Sequence, residues 1–309
     1  MRIFSRRTAD HPEPMDEALT FLTVSDADRV RTLLHHAFGE HGLEVTTHAD
    51  HAVDAEGRQF GFWNVAATCA DVDRQDWPAV VRDHVRHLLE SFDGEDPFEG
   101  ADPDDQRRRT YVRLLPADAL PDLDAFPHRE LAPGIIEALA LDLPDSLSIY
   151  NHENARAAGG WELLHRAGLE NLRALPTEQV QLVDAHDGGA FHVLLGDSVH
   201  TGSRALLLPD LPAGVDDAPP TDLGWLMSVP HRHQLCWHVV RDATVVSVVN
   251  SMARFTALGY SDGVGQVSPH LYWWNGSAYV QLTRFDEEGT LSIHVDGDFA
   301  DVLQRAMGD

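Results

Sequence analysis

Apolar residues recur at helical spacing in two early stretches, with strand-like runs between them. Val30, Leu33, Leu34, Ala37 and Phe38 form the first stripe, which Ser25 is placed to cap and Gly39 or Gly42 to end. Trp77, Val80, Val81, Val85, Leu88, Leu89 and Phe92 form the second and predict a helix over 76–92. Residues 43–48, 51–54 and 59–68 read as strands, the last two joined by a turn at Ala55-Glu56-Gly57. This is a helix–three-strand–helix unit.

Further along, 110–115 reads as a strand, and 135–143 with 146–150 as a hairpin across Pro144-Asp145. Trp161, Leu164, Leu169 and Leu172 mark a helix that ends before Pro176. Residues 180–183 and 191–195 pair across Asp187-Gly188-Gly189, with another strand at 205–208. After an apolar strand at 235–240, Asp242 caps a helix through Val245, Val249, Met252 and Phe255 that Gly259 closes. Residues 267–274 and 277–283 make a hairpin around Asn275-Gly276, a sequence suited to a type I′ turn. A strand at 291–295 and a helix from Asp298 finish the chain. The expected class is α+β: a small helix–three-strand–helix domain over 16–92, then a larger mixed α/β domain with antiparallel hairpins over 110–309. Residues 1–15 are expected to be a mobile arm and 93–109 an acidic linker.

Charge narrows the function. The chain has 309 residues and a formal net charge of −27, and each of its 23 positive side chains is arginine. Without lysine there is no Schiff base, hence no pyridoxal phosphate chemistry, and no Walker A or kinase lysine. So negative a field disfavours nucleic acid, and three-arginine clusters such as Arg107-Arg108-Arg109 are small against 50 acids. It suits solubility, or a basic protein partner. Seven acids fall between Asp93 and Asp105, a solvated linker or a docking segment for that partner. Cys69 and Cys236 cannot build a disulfide framework and lie in apolar runs, as buried reduced thiols do. With no apolar leader and no membrane-length run, a cytoplasmic protein without membrane contact is expected.

Residues 111–282 resemble the YtpQ-like family of uncharacterised bacterial proteins. The resemblance is carried by Ala140-Leu141-Asp142-Leu143, by the helix led by Gly160-Trp161, and by Val229-Pro230-His231 entering a buried strand. The helix and aromatic hairpin that follow agree with it. It implies a mixed α/β fold and a cytoplasmic bacterial protein, and it assigns no activity, cofactor or site residue. The acidic segment 93–105 and the proline-rich loop 209–222 depart from it.

Two places carry candidate chemistry. If residues 231–238 form one strand, His231 and His233 share a face, and such a pair can hold a zinc or other transition metal ion with a third ligand from His200, Asp197 or His270. The alternative is a strand end whose histidines satisfy loop carbonyls. In the Asn275-Gly276 hairpin, a two-residue turn puts His270, Tyr272, Trp274 and Tyr279 on one face, as a binding surface or beneath a cover. His84 and His87 read as boundary residues of a helix, and Gly259 to Gly265 stands in the wrong order for a phosphate loop. The expectation is a non-enzymatic binding or accessory protein acting through protein contacts and needing no cofactor. A hydrolase-like or metal-assisted enzyme centred on His231 and His233, with residues 209–222 as its lid, is the alternative.

Overall fold

A computed structural model describes residues 13–308 except 17, 20, 56–58, 94–96, 121, 144–146, 177–178, 209–220, 264, 287 and 296. The turn at Glu56-Gly57, the Pro144-Asp145 turn, most of the N-terminal arm and nearly all of the 209–222 loop lie outside the described residues. The chain is α+β and divides into two units, residues 1–93 and 94–309. None of the helices among the described residues is long and apolar enough to cross a membrane.

The first unit runs α1 (Val24–Glu40), an antiparallel sheet β1 (Val45–Thr47), β2 (His51–Asp54) and β3 (Gln59–Gly61), then α2 (Trp63–Ala70) and α3 (Trp77–Asp93). Val30, Leu34 and Phe38 of α1 meet Phe60, Trp77, Val81 and Val85 in its core. Two sequence expectations change here. Thr23, not Ser25, caps α1, its hydroxyl accepting from the Asp26 N–H at 3.3 Å. Residues 59–68 are not one strand: after Gly61 the apolar run turns helical, burying Val65, Ala66 and Cys69. An apolar run this short satisfies either period, and its alanines favour helix.

In the second unit, residues 103–109 are not linker but α4 (Pro103–Arg109). Asp102 caps it, Pro103 opens it, and Arg107, Arg108 and Arg109 reach back to Asp104 and Asp105. Asn171 of α6 (Trp161–Ala174) donates to the Arg107 and Thr110 carbonyls at 2.8 Å and fixes its end. A smaller antiparallel sheet holds β4 (Thr110–Pro116), β5 (His128–Ala132), β6 (Ile135–Asp142) and β7 (Leu147–Ile149), with β6 central and buried along nearly its whole length. A short helix α5 (His152–Ala157) leads into α6.

The larger sheet has six strands in the order β13-β12-β10-β11-β9-β8. They are β8 (Val180–Asp184), β9 (Ala190–Leu195), β10 (Trp225–Ser228), β11 (Gln234–Val239), β12 (Tyr272–Trp274) and β13 (Tyr279–Gln281). On one face Phe191, Cys236, Leu271 and Trp273 pack against α7 (Val245–Asp262) and α8 (Gly297–Met307). A two-stranded ribbon of β14 (Thr283–Phe285) and β15 (Leu291–Ile293) lies between β13 and α8 in the chain. On the other face Leu194, Leu235, Trp237 and Tyr272 meet Leu114 and Ile135 of the smaller sheet, together with Ala205 and Leu208. Residues 205–208 were expected as a strand, but Gly202–Leu207 is a 3-10 helix wedged into this layer.

The Asn275-Gly276 turn is longer than a two-residue loop. Trp274 pairs with Tyr279, and Asn275 Oδ1 accepts from the N–H groups of Ser277 and Ala278, both at 2.9 Å. The register moves by an even step, so the expected faces survive. Beside this turn, Gly224 has φ +78° and an added Cβ would overlap the Trp274 carbonyl oxygen. Gly276 has φ +96° but open space around it. Gly276→Ala should therefore cost only the left-handed penalty of about 1–2 kcal/mol, whereas Gly224→Ala adds a backbone clash and should exceed about 3 kcal/mol. Urea unfolding of the two variants checks this; equal midpoints would show that Gly224 is not pinned against Trp274.

Candidate functional site

The segment His231-Arg232-His233 is a turn, not part of a strand, because β11 begins only at Gln234. Three neighbouring stretches grip its backbone. Gly202 N–H donates to the Arg232 carbonyl at 2.8 Å, Gly196 N–H to the His233 carbonyl at 3.1 Å, and Arg232 N–H to the Gly265 carbonyl at 2.9 Å. His231 also bridges to Gln266. Glycine is needed at 202 because an added Cβ would run into Val229 and the His231 carbonyl.

This grip does not shape a metal site. The His231 and His233 rings are 6.2 Å apart and tilted by 49°. His233 Nδ1 lies 3.1 Å from the Gly196 carbonyl, and its Nε2 accepts from Arg232 Nε at 2.8 Å. With Nδ1 donating and Nε2 accepting, that ring is neutral and has no lone pair left for a metal. His231 Nδ1 accepts from the His233 N–H at 3.3 Å. His270 sits by Thr283, 3.3 Å from its hydroxyl, and His200 stacks on Tyr111 with centroids 4.2 Å apart. Asp197 lines an opening of about 480 Å³ together with Gln179, Leu195, Gly196 and His233. Among the described residues no three His, Cys, Asp or Glu side chains converge to hold a metal ion.

The turn instead assembles positive charge. Arg113 on β4 shares a face with Tyr111, and both act on His200: Tyr111 by stacking, Arg113 by its charge. Arg204 of the 3-10 helix acts on His200 as well, while Arg232 acts on Arg113 and on His233. Burial, and then the charge of Arg232, pushes Arg113 down to about 10, against the opposing pull of Asp142. Burial, followed by Arg113 and Arg204, pushes His200 down to about 4. Burial alone lowers Arg232. No ion pair among the described residues involves Arg113, Arg204 or Arg232.

Several of these groups lack partners altogether. Arg113 Nε, Arg204 Nε and both ring nitrogens of His200 are buried without a hydrogen bond, as is the indole N–H of Trp237 in the same layer. Arg204 is 4% exposed and His200 3%. One terminal nitrogen of Arg204 donates to the Leu175 and Pro176 carbonyls at 3.2 and 2.6 Å, which fixes its guanidinium in place. Each unmet buried group costs about 1–3 kcal/mol, so a native chain that retains several at one place calls for an explanation. Sequence reasoning found the histidines and missed the arginines. The available signal was a lone arginine inside an apolar run, Tyr111-Val112-Arg113-Leu114 and Gly202-Ser203-Arg204-Ala205.

The aromatic face of the β12–β13 hairpin is not an open surface. Tyr272 is fully buried and donates to the Pro133 carbonyl at 2.8 Å, while Tyr279 is 8% exposed and accepts from the Trp225 indole at 3.2 Å. Trp274 stacks on Trp225 at 5.5 Å, and only it and His270 keep partial exposure. The cover comes from the smaller sheet and β10, since both faces of the larger sheet are apolar enough to be buried. Nucleophiles are quiet as well. Burial pushes the Cys69 thiol up to about 11 and the Cys236 thiol up to about 12, and Ser203 Oγ accepts from the Leu114 N–H at 3.0 Å rather than pairing with His200.

The burial of His200 has a consequence for acid stability. Between pH 6.5 and about 4 the unfolded chain takes up a proton on this histidine and the folded chain does not, so stability falls as the pH drops through that window. The loss by pH 5 is about 2 kcal/mol from this one residue. His200→Gln should flatten the change in urea-unfolding free energy between pH 7.5 and pH 5 by that amount; an unchanged slope would place the titration elsewhere.

No protein-family model matches the chain, and no curated protein or solved structure matches it either.

Proposed function

We propose that the chain is a non-enzymatic binding protein whose second unit takes a negatively charged group of its ligand at the cluster of Arg113, His200, Arg204 and Arg232. The observation that carries this reading is the set of buried, partnerless donors on His200, Arg204 and Arg113 with no carboxylate paired to them. A bound anion would supply the missing acceptors and the missing charge together. The hydrolase-like or metal-assisted alternative at His231 and His233 has less support, because both nitrogens of His233 are already engaged. Two buried thiols suit a reducing compartment such as the cytoplasm, and membership of the YtpQ-like proteins belongs to the same proposal.

The net charge of −27 does not oppose such a site. Surface repulsion is screened beyond about 8–10 Å at physiological ionic strength, and it acts on the rate of encounter more than on buried contacts. The same charge favours a second reading, an accessory role beside a basic protein partner. The acids of α4 contribute little to it, since Arg107, Arg108 and Arg109 already answer them.

Thermal unfolding of the full chain in chloride, sulfate, phosphate and citrate tests the binding reading. At least one multivalent anion should raise the midpoint of the wild type by several degrees, as ligand linkage requires. Arg113→Gln should abolish most of that rise, while Arg284→Gln, an exposed change on β14, should keep it. If no anion stabilises the wild type beyond chloride, or if both variants respond like the wild type, the reading fails.

A further inference from the structure

Building on the anion-binding reading, we infer that the group bound is a tetrahedral dianion of the phosphate class, either inorganic phosphate or the phosphoryl group of a small monoester. The charge count argues for this. Three guanidinium groups, Arg113, Arg204 and Arg232, act on one another or on the shared histidines, and the one carboxylate that acts on Arg113 from within is Asp142. Asp142 also answers Arg109. The three arginines therefore outnumber by two the one carboxylate that acts on them. A single carboxylate would neutralise one of the two excess charges; a phosphate dianion neutralises both.

The donors also suit a phosphoryl group. Guanidinium N–H groups fixed in a plane match phosphate oxygens, and Arg204 is already fixed by the Leu175 and Pro176 carbonyls. His200 is held flat by Tyr111 and carries both ring nitrogens unpartnered, so its N–H is free to donate. The depth of Arg204 and His200 limits what can reach them to a compact group. The opening of about 480 Å³ reaches the cluster only at His233, with Gln179, Leu195, Gly196 and Asp197 as its other lining residues. A nucleic-acid backbone does not suit this place, because its phosphates are monoanionic diesters and the chain as a whole carries a net charge of −27.

Isothermal titration of the full-length protein at pH 5.5, 6.5 and 7.5 tests this, with inorganic phosphate, methyl phosphate, sulfate and acetate as probes. The charged and titratable groups facing the site are Tyr111 and Arg113 from β4, Asp142 from β6, His200 and Arg204 from the 3-10 segment, His231, Arg232 and His233 from the turn, and Asp197 at the rim. Of the histidines, His200 and His231 lie near 4 and His233 is lowered, so none of them gains a proton that would explain tighter binding at higher pH.

Affinity for inorganic phosphate should therefore rise at least about tenfold from pH 5.5 to 7.5, as its second proton leaves near about pH 7, and affinity for methyl phosphate about fourfold, as its second proton leaves near about pH 6. Sulfate, dianionic throughout, should bind with little pH dependence, and acetate should bind at least about tenfold more weakly than either. Tighter binding of methyl phosphate than of inorganic phosphate would assign the site to a monoester, and the reverse order to the free ion. Arg204→Lys, which keeps the charge and loses the planar fork, should weaken phosphate at least about tenfold. Arg113→Gln, at a half-buried position, gives a second readout should Arg204→Lys fail to fold. Acetate binding as tightly as phosphate, or phosphate affinity flat with pH, would overturn the phosphate assignment and leave the anion site standing. Absence of binding by every probe would remove both.

Discussion

Backbone hydrogen bonds from Gly196, Gly202 and Gly265 hold the His231-Arg232-His233 turn, and the charge arrangement of the second unit follows from that grip. It brings the 3-10 segment carrying Arg204 against the start of β11 and, through Ser203 on the Leu114 N–H, against β4. Arg113 and Arg204 then both act by their charge on His200, and Arg232 acts on Arg113.

Such an arrangement runs against stability. Buried charge without a partner is expensive, and apolar replacements of buried ionic groups are often neutral or stabilising. Two buried carboxylates elsewhere are paired. Buried Glu137 has His165 at 2.6 Å, and Asp16 holds Arg31 at 2.8 Å with support from the Ala18 and Leu19 N–H groups. Unmet donors gathered on Arg113, Arg204 and His200, residues that also act on one another by charge, break local rules in the way functional sites do. The acidic exterior and the basic interior are then complementary. On the proposed reading, the excess acid of the chain would repel competing polyanions while the arginines take a compact anion.

The legibility of the fold tracked how far each signal was local. Stripes such as Val30, Leu34, Phe38 and Trp77, Val81, Val85 are set by helical period alone, and both helices stand where the period puts them. The hairpins of β8 with β9 and β12 with β13 were readable from glycine-bearing turns, although Asn275 closes its turn with its own side chain and lengthens the loop. Residues 59–68 and 205–208 were misread because a short apolar run fits both periods, and tertiary packing decided between them. For the site, the turn was legible as His231 and His233 but its meaning was not. Alternation along an assumed strand aligned the two rings, while the actual turn engages their nitrogens with backbone and Arg232. Arg113 and Arg204 are 91 residues apart in sequence, and only the packing of the 3-10 segment onto β4 unites them. A cover over Tyr272 and Tyr279 was one of the two expectations, but its source in a second sheet from residues 110–149 was not legible.

The most direct measurement of the central claim is a crystal structure of the full chain grown with millimolar selenate, a tetrahedral dianion whose anomalous scattering identifies it. The account predicts a selenate within hydrogen-bonding distance of Arg204 Nε and a His200 ring nitrogen, with Arg113 or Arg232 completing the shell. Ordinary water or a neighbouring carboxylate in that place, with selenate confined to the exposed surface, would contradict it.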